Sequence, residues 1–391
     1  MTQLHHAIKI IRTQSKPVGT EIISVSESLN RILAEDIFSD INIPPFNKAK
    51  MDGFACRRID LPGPFKVIDE IPAGKVSSFI IGEGECARIM TGAPVPQGAD
   101  TVFIIEKNET QPDGSILFTS EHTDSNICLI GEDVKKGETV LKEGTLIRPQ
   151  DIAVLASVGK DKIKVYSMPG VAVISTGTEL VEHNNVPVGG QIRNINGLQM
   201  LAQLSDMRIK ASYQGIVPDK KELIQKSIEE ALESNDVVFI SGGVSIGDYD
   251  LIPQTVLEMG FEVCITSIDI KPGRHTIFAV RGNKYILGFP GSPVASFVQM
   301  ELLGKTLLYN LMGHHKELKK YRVIFIDDFE RKNVDRLEFL PVIISDTGKA
   351  KLIPYNSSGH IHAISRANAL MEIPVGVKTI EKGDMVCIRP L

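Results

Sequence analysis

The feature that most constrains this chain is a set of buried-strand patterns between residues 170 and 312, several of which end in glycine. VAVIST (171–176) runs into Gly177, DVVFIS (236–241) into Gly242-Gly243, and a strand pattern over 276–289 into Pro290-Gly291. Helical patterns lie between them. One runs through Leu198, Leu201 and Leu204, with Asn196 as a possible cap. A second opens at Asp219-Lys-Lys-Glu222, a capping-box pattern, and reaches about Ser234. A third lies around Ile252–Met259, and a long one spans Pro293 to Leu311. Strands alternating with helices at this spacing predict βαβ units and a parallel, doubly wound sheet.

The rest of the chain reads differently. Leu4, Ile8 and Ile11 predict a short amphipathic helix, and Gln150 to Val158 predicts another. Ile43-Pro44-Pro45 is stiff and marks a boundary. Residues 46–147 are short apolar runs broken by Gly and Pro and read as β-rich. After a charged stretch, HHKELKK (314–320), residues 321–391 return to strand patterns and predict a small barrel or sandwich.

Composition narrows the function classes. A chain of 391 residues at roughly 150 per domain holds two to four domains. Hydrophobic residues are 42% and charged residues 23%, which excludes disorder as the main theme. Lys plus Arg is 43 against 48 Asp plus Glu, a net charge of −5, which argues against nucleic-acid and membrane-surface partners. No apolar run approaches the ~18 residues of a membrane helix, and the N-terminus is too polar for a signal peptide. The five cysteines are dispersed with no close pair along the sequence, which suits a reducing cytoplasm and no Cys-based metal site. The histidines, including His314-His315 and His360-x-His362, read as surface or linker residues.

In an open α/β sheet, ligands bind beyond the C-terminal strand ends. Three loops should converge there: Ser175–Glu179, Ser241–Asp250 and Gly288–Pro293. Adjacent glycines (Gly242, Gly243) let N–H groups approach a phosphate, and Ser292 and Pro293 sit at the N-cap and first position of a helix start that favours anions. The plainer reading is that the glycines only make tight turns. Glu179, Asp219, Asp248 and Asp250 ring the same region. Carboxylates beside an anion repel it unless a hard cation intervenes, and Mg²⁺ suits one or two carboxylates plus phosphate oxygens. Asp219 read alone is an ordinary N-cap, Asp248 reads as a turn former, and Asp250 is the better ligand candidate. Lys271-Pro-Gly-Arg274 places two cations around a turn that could hold an oxyanion or lie in solvent. Asp52, the loop Met90–Asp100 with Thr91, and Asp133 read singly as turn chemistry.

Taken together, PPFNKAKMDGFA (44–55), IMTGAPVPQGADTVFIIE (89–106), GEDVKKG (131–137), ISTGTEL (174–180), GQIRNINGLQML (190–201), GIVPDK (215–220), ISGGVSIGDYD (240–250), IKPGRH (270–275) and GFPGSPVAS (288–296) resemble the molybdopterin molybdenumtransferases. That family includes the C-terminal enzyme domain of gephyrin. The resemblance runs from about residue 4 to the end.

It implies a multidomain α/β plus β chain. Residues 1–45 with 146–168 would form a discontinuous N-terminal, dimerising part, and 46–145 a β-rich insertion. Residues 169–313 would form a doubly wound α/β domain similar to molybdopterin adenylyltransferase, and 318–391 a β-barrel-like C-terminal domain. It further implies a homodimer with its active site between subunits. The implied reaction is Mg²⁺-assisted insertion of molybdenum from molybdate into adenylyl-molybdopterin with release of AMP, after handover from the adenylyltransferase. Carried over by motif, the functional residues would be Asp52, Thr91, Asp133, Glu179, Asp219, Asp250 and Lys271; with the loop residues read above, Ser241, Gly242, Gly243, Ser245, Arg274, Pro290 and Ser292, they make the expected site. Glu179, Asp219 and Asp250 would hold Mg²⁺, and Asp52, Thr91 and Asp133 would reach in from the partner.

The chain departs from the family's usual residues at several of these motifs. Lys50 stands in the usual SAMDG motif, Thr178 replaces an Asp, Asn194 an Asp and Ser292 an Asn. Arg274 replaces a Lys, His275 a Pro, and Ser267 a Lys found in some members. The acids persist while one cation is missing, which predicts retained chemistry with altered oxyanion handling. Rival readings are an adenylyltransferase acting one step earlier, a non-catalytic molybdopterin-binding scaffold, and a tungstate-specific variant.

Overall fold

A computed structural model describes the chain except for Met1, Ser245–Asp250, Lys316–Leu318 and Asn356. The Asp250, Asp248 and Ser245 expectations therefore lie outside the described residues.

The apolar runs of the central segment become a six-stranded sheet: β1 (Val171–Thr176), β2 (Ala211–Val217), β3 (Val237–Ser241), β4 (Glu262–Ser267), β5 (His275–Arg281) and β6 (Lys284–Phe289), in the order β2-β1-β3-β6-β5-β4. The sheet is mixed, correcting the expectation of an all-parallel one. β2, β1, β3 and β6 run parallel, but β5 and β6 form a hairpin and β4 is antiparallel to β5. The cause is the short Gly282-Asn283 turn, which leaves no room for a crossover helix. β1 is buried at every position, as a central strand covered on both faces must be.

The N-terminal helix α1 (Leu4–Gln14) buries Leu4, Ala7 and Ile11, and α2 is Pro149–Ser157. Flanking the sheet are α3 (Asn196–Asp206), α4 (Lys221–Ser234), α5 (Ile252–Glu258) and α6 (Pro293–Gln299). Val171 and Val173 pack with Met200 and Leu204 of α3 and Val294 and Val298 of α6, while Ala172 and Ile174 pack with Ile224 and Ile228 of α4 and Val256 of α5. Neighbouring residues of one strand thus feed two cores, one on each face. The long helix predicted from Pro293 is interrupted by a π-turn at Met300–Gly304 before it resumes as Lys305–Leu311.

Two helix starts differ from the sequence reading. Asn196 is the first residue of α3 rather than its cap, and the N-cap of α4 is Lys220, not Asp219.

Thr20–Ser24 pairs antiparallel with Lys162–Tyr166, so the chain leaves and returns to one small core around Leu33, Ile147 and Leu155. Between them lies a lobe whose main sheet joins Lys66–Ile71, Glu85–Ile89, Gly53–Cys56 and Thr101–Ile104. The lobe is joined by a ribbon in which Ile37–Phe38 pairs with Thr139–Leu141 and Ile43 bridges Val134. Cys56 and Cys86, far apart in sequence, are cross-strand neighbours here. Both are free, and burial pushes their thiols up to about 12, which keeps them inert.

The C-terminal strands β7 (Tyr321–Phe325), β8 (Leu337–Ile344), β9 (Lys349–Leu352), β10 (Ala369–Ile373) and β11 (Met385–Pro390) close on themselves as β8-β9-β7-β11-β10-β8. This five-stranded barrel is filled by Phe325, Val342, Met371 and Ile388. Its β8 also pairs with Ile270–Lys271 of the α/β segment. His314 is buried, with Nδ1 2.9 Å from the Gly144 carbonyl, so it is not the surface residue the sequence suggested.

Candidate active site

The register of the sheet explains why three loops meet. Ser175 of β1 is paired with Ser241 of β3, and Ser241 with Phe289 of β6, so all three strands stop at one level. Their loops open onto a cleft of about 870 Å³. Glu179, Asp219, Gly242, Gly243, Arg274 and Ser292 line it, together with Ser241 and Pro290. The glycines are required there. Gly242 has φ of +97°, and a Cβ on it would lie 2.4 Å from the Thr176 carbonyl oxygen. Gly243 has φ of +61°.

One of the two acids of the cleft is held from within. Asp219 Oδ2 accepts from the Thr178 N–H at 2.9 Å and its hydroxyl at 3.3 Å. Asp219 therefore binds the first loop instead of capping α4. Its Oδ1, and both oxygens of Glu179, have no hydrogen bond or ion pair among the described residues. Among those residues no group of three or more His, Cys, Asp and Glu forms a metal-binding cluster. Two carboxylates thus face the cleft with oxygens free to accept.

The helix start contributes less than its sequence suggested. Ser292 is at the N-cap of α6, but its side chain makes no cap bond. Pro293 has no N–H, and the Val294 N–H donates to the carbonyl of Ser358, which enters from the C-terminal region at 3.0 Å.

Lys271 and Arg274 are not side by side. Arg274 lines the main cleft, while Lys271 lines an adjoining one of about 770 Å³ with Arg331, Lys332 and Arg336. The two clefts share Gly273 and Ser358.

Asp52, Thr91 and Asp133 stay out of this cleft within one chain. Asp52 Oδ1 accepts both the N–H and the hydroxyl of Thr91 at 2.7 Å, and these bonds hold its carboxyl below the usual range. Asp133 donates its N–H to the Ile43 carbonyl, in the ribbon at the base of the lobe.

Sequence reasoning missed the work of the Asn194-Ile195-Asn196 turn, although it noted both asparagines. Asn194 Nδ2 donates to the Tyr213 hydroxyl at 2.7 Å, which donates to Glu182 Oε1 at 2.9 Å. Burial and Glu182 push the Tyr213 phenol up to about 12. His275 of the lining was noted only as a departure from the family's usual Pro, and Ser358 carried no sequence signal at all.

The α/β domain with its glycine-lined cleft and the β-rich parts around it each match a known family. Residues 172–310 match the family model described as a probable molybdopterin binding domain. Residues 2–159 match the MoeA N-terminal region (domain I and II) and 328–391 the MoeA C-terminal region (domain IV). A molybdopterin molybdenumtransferase of Staphylococcus aureus is 36% identical over 396 residues, covering 98% of this chain and 94% of the relative. One of Staphylococcus epidermidis is 36% identical over 392 residues, covering 97% and 93%. A crystal structure titled molybdopterin biosynthesis MoeA protein from Pyrococcus horikoshii has a TM-score of 0.80 at 32% identity, covering 100% of this chain and 99% of that one. The chain belongs to the molybdopterin molybdenumtransferase family, transferases of molybdenum cofactor biosynthesis.

Proposed function

We propose that this chain transfers molybdenum from molybdate to adenylyl-molybdopterin, with Mg²⁺, and releases AMP. The observation that carries the reading is the convergence of Glu179, Asp219, the Gly242-Gly243 turn and Arg274 on one cleft. The Gly243 N–H and Arg274 bind the phosphates, while the Gly242 N–H is given to the Phe289 carbonyl at 3.0 Å and holds the turn against β6. Water attacks the phosphoanhydride that joins AMP to the pterin, and AMP leaves with the new P–O bond. Glu179 and the free Oδ1 of Asp219 would hold Mg²⁺, with Asp250 the further ligand expected from the sequence alone, and the ion would offset charge developing on the phosphate oxygens. Thr178 keeps Asp219 facing the cleft. Lys271 and Arg274, in neighbouring clefts, take the molybdate oxyanion as it approaches the dithiolene.

The working unit in this reading is a homodimer in a reducing cytoplasm, receiving its substrate from an adenylyltransferase. Exposed apolar residues support the dimer. Phe46, Met51, Leu129 and Ile130 accompany Asp52 and Asp133, and the exposed Ile192 lines the cleft. Asp52, Thr91 and Asp133 would enter that cleft from the second copy.

The test is AMP release from adenylyl-molybdopterin by the purified protein, with and without Mg²⁺ and molybdate. Release that needs both supports the reading, and tight binding without release supports the scaffold instead. Mixing Asp52→Ala with Asp219→Ala chains should restore part of the activity, since one of the two mixed sites would be intact. No recovery in a mixed dimer would put both residues in one subunit's site.

A further inference from the structure

The three loops that make the cleft are rich in glycine, and glycine loops hold no shape by themselves. One short turn touches all three. Asn194 Oδ1 accepts from the Ser175 hydroxyl at 3.1 Å, at the end of β1. Asn196 Nδ2 donates to the Ser241 hydroxyl at 2.7 Å, at the end of β3, and to the Gly291 carbonyl at 2.9 Å, just past β6. The Gly291 carbonyl can only accept, so it fixes which way the Asn196 amide points. Gly197 lets the turn sit close: a Cβ there would lie 3.0 Å from the Ser175 hydroxyl and 3.1 Å from Asn194 Nδ2.

We propose that Asn196, with Asn194 beside it, is a positioning residue that locks the ends of β1, β3 and β6 into one anion-binding register. This rests on the reading that the cleft binds the phosphates of an adenylylated substrate. Asn196 is only 6% exposed, so it acts through Ser241 and Gly291 and not as a direct ligand. Donors aimed in advance at a phosphate need no reorganisation when it arrives, which is where such a lock gains its effect.

Asn196→Asp tests this with side-chain volume unchanged. It turns an oxygen toward the Gly291 carbonyl, which already has only lone pairs to offer. At pH 8 the half-saturating concentration of adenylyl-molybdopterin should rise about tenfold or more, the scale of one buried hydrogen bond lost. Burial raises the pKa of the new carboxyl, so lowering the pH to 6 protonates it and returns a donor. The ratio of variant to wild-type half-saturation should therefore shrink as pH falls, which a merely structural defect would not produce. Asn196→Ala, which has no titrating group, should show a raised half-saturation at both pH values. If Asn196→Asp does not fold, calorimetric binding of AMP to Asn196→Ala decides: unchanged affinity rejects the proposal. A folded Asn196→Asp with wild-type half-saturation at both pH values also rejects it. Wild-type protein that releases no AMP rejects the underlying reading instead.

Discussion

The Lys271 ammonium lies 2.6 Å from Glu338 Oε1, across the seam between the α/β sheet and the C-terminal barrel. Glu338 is buried and also meets Arg331 Nη1 at 3.2 Å, so one carboxylate answers two cations from different parts of the chain. Arg331 in turn donates to the carbonyls of Val377, Arg336 and Pro374. Arg331→Met should destabilise the protein by about 1–3 kcal/mol, because Glu338 keeps Lys271 but loses its second cation, and three carbonyls lose their donor. Adding Glu338→Gln should recover part of that loss. Urea unfolding of the single and double variants measures both, and simple additivity would show that the pair is not coupled.

Lys271 keeps its outer side exposed to the second cleft while Glu338 holds it. Lys271→Ala should raise the molybdate concentration needed for half-maximal rate more than it lowers the maximal rate. The opposite split would give Lys271 a role in the transition state.

Gly242 sits where a side chain has neither space nor a favourable backbone. Gly242→Ala should cost about 1–3 kcal/mol of stability and weaken substrate binding, since its Cβ would push the first loop at Thr176. Unfolding and binding would be measured on the same sample. A variant as stable and tight-binding as wild type would mean the two loops can part freely.

The Thr91 hydroxyl and N–H favour the ionised form of Asp52. A lowered pKa means this stabilisation is complete above the ordinary carboxylate value and is lost as pH falls through the folded one. Thr91→Val removes the hydroxyl donor but keeps the N–H. The Asp52 midpoint should rise toward the ordinary value, and the acid limb of the rate profile should follow it. Carboxyl ¹³C titration reads the first effect directly, and an unmoved midpoint would show that the hydroxyl contributes nothing.

The core of the fold is legible because it rests on local rules. VAVIST and DVVFIS had to be covered on both faces, and their glycine ends had to be turns. What could not be read is what depends on register. Asp219 followed by Glu222 has the pattern of a cap, but pairing of Thr176 with Val217 brings Thr178 near Asp219, and Thr178 claims the carboxylate. Lys271 and Arg274 looked like one clamp because they are three apart. The chain turns between them, and Glu338, distant in sequence, takes Lys271 to a second cleft. The opposition of Cys56 and Cys86 is likewise a product of strand pairing.

The pairing of Thr20–Ser24 with Lys162–Tyr166 has a consequence for how the chain comes to be folded. On a ribosome the first strand emerges long before its partner and waits with its edge open while the whole inserted lobe is made. The lobe draws its own two ends together through the ribbon of Ile37–Phe38 and Thr139–Leu141. Once that ribbon has closed, the chain left to loop between the waiting strand and its partner is short, and the entropy of joining them falls accordingly. Folding of the inserted lobe is thereby the step that lets the older, interrupted part of the chain find itself.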